Sequence, residues 1–535
     1  EVALLSDCFI LDSLQAMRKM VVDGSNTSGF QRTVLLAVNG SLKTKSNKVI
    51  RIQSIAVEED SGRTISQDDE SITYRIDRLG IPLIELATFP DIRTPEEAKE
   101  FALRIGELFR VGCKAKRGLG SIRQDLNISI KDGARIEIKG IQELDLIDEF
   151  VRREVQRQLA LLEVKKELIE RKISKESFFR EIASLGKVFA RSESKLFKGN
   201  EVYGVKLTGF NGLLGKEVQP NRRFGSEIAS YVKQRVGLKG LIHSDEDLTK
   251  YKAGIQEIQE IKKVLGIEER DAFVLLIAGY EAAKAGFDVI KERCLQAFDG
   301  IPEETRNPLA DGNSEYSRPL PGPARMYPET DIPAIELSRE KLAGLKAKLP
   351  LWPEQRLESY QQKGLPKQLA EKMILDNFAR FFESLLDEGF NPTLAAKFLL
   401  EDLVTLKRGK HPVENLSNEM IKELLMAAQD GKITKEVLLE VAGYWSGNPE
   451  MPLIEVIKKF VGEQAGNEAI RKEIDAVLEA NSELIKEKGL QALSALMGEA
   501  MARLKGRASG KEISSMLKQK LDEKVKGIIF KDSKA

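Results

Sequence analysis

The stretch of residues 121–139 constrains the fold most strongly, because apolar and polar residues alternate along it in two runs around an Asp-Gly pair. Alternation with a period of two is typical of half-buried β-strands. If both apolar sides pack on one core, paired residues must have numbers of the same parity. This condition predicts a three-residue loop, residues 131–133, with Gly133 in the left-handed conformation. Asn127 then lies opposite Glu137.

In the same register Asp125 lies opposite Lys139, and one sheet face gathers two carboxylates, an amide and three cations. Half-exposed sheets alternate in this way routinely, so one interpretation is a solvated face with cross-strand ion pairs. The other is a site for metal and phosphate, in which carboxylates bind Mg²⁺ and Arg or Lys neutralises phosphoryl oxygens. Gly118, Gly120 and Ser121 would let a phosphate approach the backbone, although a single Gly-x-Gly pair is a weak signal.

Two further carboxylates lie upstream of this stretch. Glu59 belongs to the acidic run of residues 58–60, which ends a predicted strand where side chains emerge at a sheet edge. Glu85 lies within residues 81–86, which are otherwise apolar. A charge in such a run is costly unless it is paired or bound to a cation. Two interpretations of Glu85 therefore stay open: it forms a buried salt bridge, or it is a ligand of a metal ion.

Composition narrows the chemistry. The 535 residues include two histidines, which disfavours a catalytic triad or a multi-histidine metal site and leaves carboxylates and a hard cation such as Mg²⁺. The three cysteines are widely spaced, which is typical of buried thiols in a reducing cytosol and predicts a cytoplasmic protein. Because the net charge is only +1, nucleic-acid binding would need a local patch of positive charge. No apolar run is long enough to span a bilayer.

The chain changes character along its length. Residues 1–145 are predicted to form strands with a few helices, residues 200–315 to alternate helices and short strands, and residues 335–535 to be helical. The last 39 residues hold ten Lys and Arg against five Asp and Glu. This basic end is either a solvated face or a surface for an RNA backbone.

Seven segments, in this order along the chain, carry a resemblance to a known family: residues 17–33, 57–60, 80–85, 90–92, 120–127, 135–139 and 325–333. Through them the chain resembles the B/E family of tRNA-dependent amidotransferase subunits. Several long motifs occur in the right order, so chance is a poor explanation. The resemblance covers nearly the whole chain.

The resemblance implies a multidomain α+β protein. A catalytic cradle with a mixed or antiparallel sheet is expected in residues 1–200 and 316–340, and an α+β insertion similar to that of bacterial-type aspartyl-tRNA synthetases in residues 201–315. An all-α helical domain is expected in residues 341–440 and a tRNA-binding tail domain in residues 441–535. The insertion favours the archaeal E-type members of the family, because B-type members lack it.

The activity that the resemblance implies is that of a ligase in protein biosynthesis, with ATP and Mg²⁺ as cofactors. ATP phosphorylates the γ-carboxyl of the Glu carried by tRNA(Gln), and ammonia then displaces phosphate to give Gln-tRNA(Gln). The ammonia comes from an asparaginase-like D subunit, GatD, in a heterotetramer of two D and two E subunits.

The resemblance also implies roles for particular residues. The predicted metal ligands are Glu59, Glu85, Asp125 and Glu137. We expect two neighbouring catalytic residues to neutralise phosphate, namely Arg123 and Lys139. The predicted ATP-binding residues are Gly118, Gly120 and Ser121. The predicted tRNA-binding residues of the tail are Arg503, Lys505, Arg507 and Lys511.

One feature of the family is expected to be missing from this sequence. The N-terminal strand of the family carries a Glu/His metal-ligand motif, and this chain begins at Glu1, after that motif. We therefore expect that the natural start is missing and that the metal-ligand set is incomplete.

Two other functions remain open. A tRNA-binding scaffold without chemistry would have no need of Asp125 and Glu137 beside Arg123. An aminoacyl-tRNA synthetase would rest only on the insertion, because neither the class I nucleotide-binding signature nor the class II core motifs are found. The insertion also argues against a bacterial-type B subunit.

Overall fold

The computed structural model describes residues 1–21, 26–68, 70–113, 115–116, 118, 120–320, 326–460, 467–504 and 510–532. The chain divides into two units, Glu1–Leu349 and Pro350–Ala535. Strands dominate the start of the first unit, in this order: α1 (Val2–Leu5), β1 (Phe9–Ile10), β2 (Ser13–Leu14), β3 (Ala16–Met20), β4 (Phe30–Lys43), β5 (Val49–Glu59), β6 (Arg63–Gln67), β7 (Ile72–Arg75), β8 (Pro82–Thr88), α2 (Pro95–Cys113), β9 (Gln124–Ile128) and β10 (Ile136–Ile141).

Helices and strands alternate over the rest of the first unit, in this order: α3 (Ile147–Glu170), β11 (Ala183–Ser184), β12 (Val202–Leu207), β13 (Glu217–Gln219), β14 (Arg222–Arg223), α4 (Phe224–Val236), β15 (Ile242–His243), α5 (Ile255–Leu265), β16 (Ala272–Ile277), α6 (Tyr280–Asp299), β17 (Glu304–Pro308), β18 (Ser314–Pro319), β19 (Met326–Pro328), β20 (Ile335–Glu336) and α7 (Arg339–Lys346).

Three larger sheets organise the described part of this unit. The first, which we call the cradle sheet, is antiparallel with the order β19-β3-β4-β5-β8, and β1 pairs with β4. The second, which we call the hairpin sheet, has the order β18-β17-β10-β9 and contains one parallel pair, β10 with β17. The third has the order β11-β12-β16-β15. The α+β class is thus confirmed.

The hairpin of β9 and β10 confirms the predicted register, because Asn127 pairs with Glu137 in an antiparallel ladder. The predicted left-handed residue is wrong: Asp132 has φ 62°, and Gly133 is not in that region. Asp is one of the few residues that tolerate this conformation. Gly133 is needed for space instead, because a Cβ there would lie 2.3 Å from Oε1 of Gln158.

The hairpin sheet takes strands from two distant parts of the chain. A parallel pair requires a long crossover connection, and here the segment from α3 to α6 supplies it between β10 and β17. The predicted boundary at residue 315 therefore lies inside β18, and the chain has already returned to the hairpin sheet at Glu304. The likeness of the inserted segment to aspartyl-tRNA synthetases stays a prediction.

The second unit is helical, as predicted: α8 (Pro353–Gln362), α9 (Lys367–Met373), α10 (Ala379–Asp387), α11 (Pro392–Lys397), α12 (Leu403–Arg408), α13 (Asn418–Gln429), α14 (Lys435–Gly447), α15 (Leu453–Phe460), α16 (Asn467–Ala480), α17 (Ser482–Lys488), α18 (Leu493–Arg503) and α19 (Gly510–Asp532). One apolar core draws on residues from Leu357 to Phe460, and another on residues from Ile470 to Val525. The predicted boundary between residues 440 and 441 lies inside α14. In the described ranges no helix combines the length and the apolar character that a membrane crossing needs.

Candidate functional site

Two adjacent strands of the cradle sheet place two carboxylates on one face. Thr33 of β4 pairs with Glu58 of β5, and Ala56 of β5 pairs with Glu85 of β8. Paired residues share a face, and so do residues two apart along a strand. Glu58 and Glu85 therefore point to the same side of the sheet, and Glu59 belongs to the alternate set.

The carboxyl groups of Glu58 and Glu85 lie close enough to share a hydrogen bond. Protein atoms around the Glu85 carboxyl raise its pKa, the carboxylate of Glu58 raises it further, and Asp125 of the hairpin sheet adds to this effect. Glu85 as a residue is nevertheless exposed, so its carboxyl lies in a cleft that water can enter. The positive charge of Lys19 opposes this rise in pKa, and its Nζ is 3.5 Å from Oε1 of Glu58. This surplus of negative charge favours a proton or a bound cation.

The hairpin sheet brings a second set of charges to the cleft. Nζ of Lys139 lies 3.2 Å from Oε1 of Glu137 and 3.6 Å from Oδ2 of Asp125. The other carboxylate oxygen of Asp125 accepts a hydrogen bond from the backbone N–H of Gly140 at 2.7 Å. The register shift between Ile138 and Ile141 removes the predicted strand pairing of Asp125 with Lys139, although their side chains still meet.

The site therefore contains four carboxylates, from Glu58, Glu85, Asp125 and Glu137, with Lys139 between the last two. A set of oxygen donors with excess negative charge suits a hard divalent cation such as Mg²⁺. Among the residues that the structure describes, no three His, Cys, Asp or Glu side chains already converge as a metal-binding group. The donor chemistry fits Mg²⁺, and additional donors would be needed to complete its shell.

Glu59, which was predicted as a metal ligand, is not brought together with these four carboxylates. Its Oε1 accepts a hydrogen bond from the backbone N–H of Arg32 at 3.0 Å, and its Oε2 lies 3.4 Å from the guanidinium of the same residue. Glu58 is the member of this acidic run that faces Glu85, and the metal-ligand role of Glu59 stays a prediction.

Arg32 belongs to a separate cluster around Glu329, which is 1% exposed. Nε of Arg18 donates to Oε2 of Glu329 at 2.7 Å, and Nε of Arg32 donates to the same oxygen at 2.9 Å. Both guanidinium groups also lie over the ring of Phe30, at 4.7 and 5.2 Å from its centroid. The hydrogen bonds from Arg18 and then Arg32 lower the pKa of Glu329 from 4.5 to about 2. This cluster ties β19 to β3 and β4.

We expect Glu329→Gln to lower the thermal unfolding midpoint at neutral pH, and we expect this difference to shrink in acid. A carboxyl group whose pKa is lower in the folded than in the unfolded protein stabilises the fold at a pH above its unfolded-state pKa. This stabilisation is lost as the pH falls through the folded-state pKa. The midpoints of wild type and variant should thus converge between pH 4.5 and 2. Asp331→Asn is the matched control, because Asp331 is 84% exposed and 3.7 Å from Arg18. A difference that stays constant with pH would contradict this account.

The other predicted residues of the cleft lie on the approach to β9. Gly118 and Gly120 have φ of 105° and 80°, a conformation that favours glycine, and the N–H of Ser121 donates to the carbonyl of Gly118 at 3.3 Å. Arg123 is exposed and forms no ion pair with any residue in the described ranges. A guanidinium in this state is available to an incoming anion.

The predicted tRNA-binding residues lie in the second unit. Arg503 is 41% exposed and pairs with Glu499 at 2.7 Å. Lys511 lies in the first turn of α19. Lys505 and Arg507 lie outside the described residues. The tRNA-binding role of all four stays a prediction.

Sequence reasoning missed three contributors to the cleft. Glu58 and Lys19 could have been found by pairing β3, β4, β5 and β8 in register, because parity alone separates Glu58 from Glu59. Thr305, whose hydroxyl donates to Oε2 of Glu137 at 3.2 Å, lies 168 positions further along the chain. No local pattern signals a contact at that separation.

Comparison with known proteins gives concordant results. A model described as the GatB/GatE catalytic domain matches residues 1–343, and one described as a GatB domain matches residues 380–521. The chain is 43% identical over 529 residues to the E-type component of glutamyl-tRNA(Gln) amidotransferase from Thermococcus gammatolerans. This match covers 98% of the chain and 83% of the relative.

The corresponding proteins of two other organisms are similarly close. The protein of Methanocaldococcus jannaschii is 42% identical over 532 residues, 98% of this chain and 84% of the relative. The protein of Saccharolobus solfataricus is 40% identical over 531 residues, 97% of this chain and 83% of the relative.

Proposed function

The chain belongs to the GatB/GatE family, and from this premise we propose that it activates and amidates the glutamate carried by tRNA(Gln). In the first step an oxygen of the γ-carboxylate attacks the γ-phosphorus of ATP, and ADP leaves. In the second step ammonia attacks the γ-carbonyl carbon, and phosphate leaves with the amide formed and one proton released. The chain is thus the kinase and amidation component of a ligase.

The single observation that carries this proposal is the group of charges in which Asp125 and Glu137 flank Lys139, and the charge of Asp125 in turn raises the pKa of Glu85 beside Glu58. Phosphoryl transfer needs positioning and charge stabilisation more than it needs a protein nucleophile. Carboxylates from two sheets, with a lysine between the two of the hairpin sheet, supply both requirements. A scaffold that only binds tRNA has no use for this arrangement.

Each charged residue of the cleft has a distinct part in this chemistry. Glu58, Glu85, Asp125 and Glu137 would hold Mg²⁺, which when bound neutralises phosphate oxygens. The ammonium group of Lys139 orients Asp125 and Glu137 and offers positive charge to a transferring phosphoryl group. Arg123, exposed just before β9, would bind a phosphate that enters from solvent.

The ammonia source in this proposal is an asparaginase-like D subunit, GatD, with two D and two E subunits in the assembly. The three relatives are each, by name, one component of a larger enzyme. Co-purification of the full-length chain with that partner, followed by light scattering, tests the assembly. A stable complex of two copies of each is expected, and two chains that elute separately would contradict it.

The experiment that tests the function uses the full-length protein without a partner. It is mixed with Glu-tRNA(Gln) carrying labelled Glu, ATP, Mg²⁺ and excess ammonium, and the ester is then hydrolysed. Labelled glutamine formed only with ATP is the expected result. If tRNA binds while neither ATP is consumed nor glutamine appears, the chain is a scaffold rather than an enzyme.

We expect removal of the end of the chain after residue 460 to weaken tRNA binding. This cut keeps the apolar core that reaches Phe460 and removes the one that begins at Ile470, together with the basic end. Loss of phosphate contacts should lower the affinity at least about tenfold at moderate salt and flatten its salt dependence. Filter binding across a salt series measures both effects.

The control for this truncation is the thermal unfolding of the first unit, which should change little because its core lies within residues 1–349. Unchanged tRNA affinity at moderate salt would contradict the assignment of the end of the chain to tRNA.

A further inference from the structure

We propose that Thr305 is a positioning residue for Glu137, and that the pairing of β17 with β10 brings its hydroxyl to that carboxylate. The inference rests on the proposed function, because it assigns a task within the same cleft. The inference also assigns a role to the long connection between β10 and β17, because this segment brings Thr305 back to the hairpin sheet.

The register of the hairpin sheet sets Thr305 beside Glu137. In the parallel pair of β10 and β17, Glu137 is the partner of Thr305, and in the antiparallel pair of β17 and β18 Thr305 is the partner of Arg318. Asn127 pairs with Glu137 on the other side. One polar row thus crosses all four strands on the face that carries the cleft.

The contact itself fixes both oxygens of one carboxylate. The hydroxyl of Thr305 donates to Oε2 of Glu137 at 3.2 Å, while Nζ of Lys139 lies 3.2 Å from Oε1. Thr305 is 1% exposed, so water does not compete for its hydroxyl. A β-branched side chain also has few rotamers. Thr305 therefore holds the Glu137 carboxylate in one orientation and, through it, the ammonium group of Lys139.

The opposite side of β17 is anchored independently. Successive residues of a strand point to opposite faces, and Glu304 and Arg306 point away from the cleft into a buried ion network. Nη2 of Arg157 donates to Oε1 of Glu304 at 2.8 Å, and the hydroxyl of Tyr231 donates to Oε2 of the same residue. Arg306 donates to the hydroxyl of Ser314 at 2.8 Å.

The anchor connects β17 to helices of the connecting segment. Arg157 of α3 also donates to Glu227 of α4 at 2.6 Å, and Arg293 of α6 donates to the same glutamate at 2.6 Å. All three side chains are at most 2% exposed. A strand held in this way cannot shift its register without breaking buried ion pairs, and Thr305 is therefore a fixed support for Glu137.

The test compares Thr305→Val with Thr305→Ser in the full-length protein. Val keeps the branched shape and removes the donor, while Ser keeps the donor and removes a methyl group. The first readout is Mn²⁺ binding to the protein without ATP, measured by electron paramagnetic resonance. The second is kcat and KM for formation of Gln-tRNA(Gln) from Glu-tRNA(Gln), ATP and ammonium. Thermal unfolding of each variant reports on packing.

Residues that orient a metal ligand are worth about 10–100-fold in metal affinity or activity. We expect Thr305→Val to weaken Mn²⁺ binding and lower kcat by such a factor, with KM for the tRNA unchanged and the unfolding midpoint close to wild type. Thr305→Ser should recover most of the loss. If Thr305→Val has normal Mn²⁺ affinity and normal kcat while the wild-type protein is active, the inference about Thr305 is overturned and the proposed function stands. Wild-type protein that neither binds Mn²⁺ nor forms Gln-tRNA(Gln) would overturn the proposed function and the inference with it.

Discussion

We expect replacement of Asp125 by Asn or of Glu137 by Gln to abolish ATP-dependent amidation while tRNA still binds. Both carboxylates flank Lys139 at distances of 3.6 and 3.2 Å, so either change removes a charge from the centre of the cleft. Mutation of a residue that only hydrogen-bonds to a metal ligand lowers activity by about 10–100-fold. Removal of the ligand itself should therefore lower the rate by more than about 100-fold. Initial rates of labelled glutamine formation measure the loss, and filter binding confirms that tRNA is retained.

The matched control for these two variants is Asp145→Asn. Asp145 has a fully exposed side chain and a distant ion pair with Lys99 at 3.7 Å, and exposed pairs of this kind contribute little. The rate of this variant should equal that of wild type. Wild-type turnover in Asp125→Asn or Glu137→Gln would remove these carboxylates from the mechanism.

We expect replacement of Arg157 by Met to destabilise the first unit by about 3–5 kcal/mol, the range for removing one partner of a buried ion pair. The guanidinium of Arg157 lies 3.0 Å from Oε1 of Glu154, 2.6 Å from Oε2 of Glu227 and 2.8 Å from Oε1 of Glu304, and all four side chains are at most 2% exposed. Met fills a similar volume, but it leaves three buried carboxylates, those of Glu154, Glu227 and Glu304, with two buried cations, Arg293 and Arg306. Denaturant unfolding followed by circular dichroism measures the change.

The matched control is Arg152→Met on the same helix. Arg152 is 44% exposed and pairs with Asp148 at 2.9 Å, and exposed ion pairs are worth at most about 1 kcal/mol. Equal stability losses in Arg157→Met and Arg152→Met would show that the buried network contributes nothing beyond a surface pair.

The sequence predicts the hairpin of β9 and β10 well because its register follows from a local rule. Apolar residues must face one core, and this requirement alone pairs Asn127 with Glu137. The left-handed position was misassigned because the feature that distinguishes Gly133 is its closeness to Gln158, a residue of α3, and not its backbone conformation. Local patterns report backbone preference, but they do not report which distant side chain occupies the neighbouring space.

The candidate site is less accessible to sequence reasoning, because it depends on pairing between distant strands. Glu58 and Glu59 are adjacent in the chain and equally acidic, and only the pairing of β5 with β8 shows that Glu58 shares a face with Glu85. The buried network likewise joins Arg157 to Glu227 across 70 positions. Its charged residues look like surface residues in the sequence, since buried charges are rare.

The central claim is that the chain activates the γ-carboxyl of tRNA-bound glutamate as an acyl phosphate, and trapping that species tests it most directly. Full-length protein is mixed with Glu-tRNA(Gln) carrying labelled Glu, ATP and Mg²⁺, with hydroxylamine in place of ammonium. Attack of hydroxylamine on the tRNA ester gives the α-hydroxamate with or without ATP, which serves as an internal control. The account predicts the γ-hydroxamate with ATP, none without ATP, and none from Asp125→Asn. Two results would contradict it. In the first, the protein forms glutamine from ammonium but yields no γ-hydroxamate. In the second, the γ-hydroxamate forms without ATP.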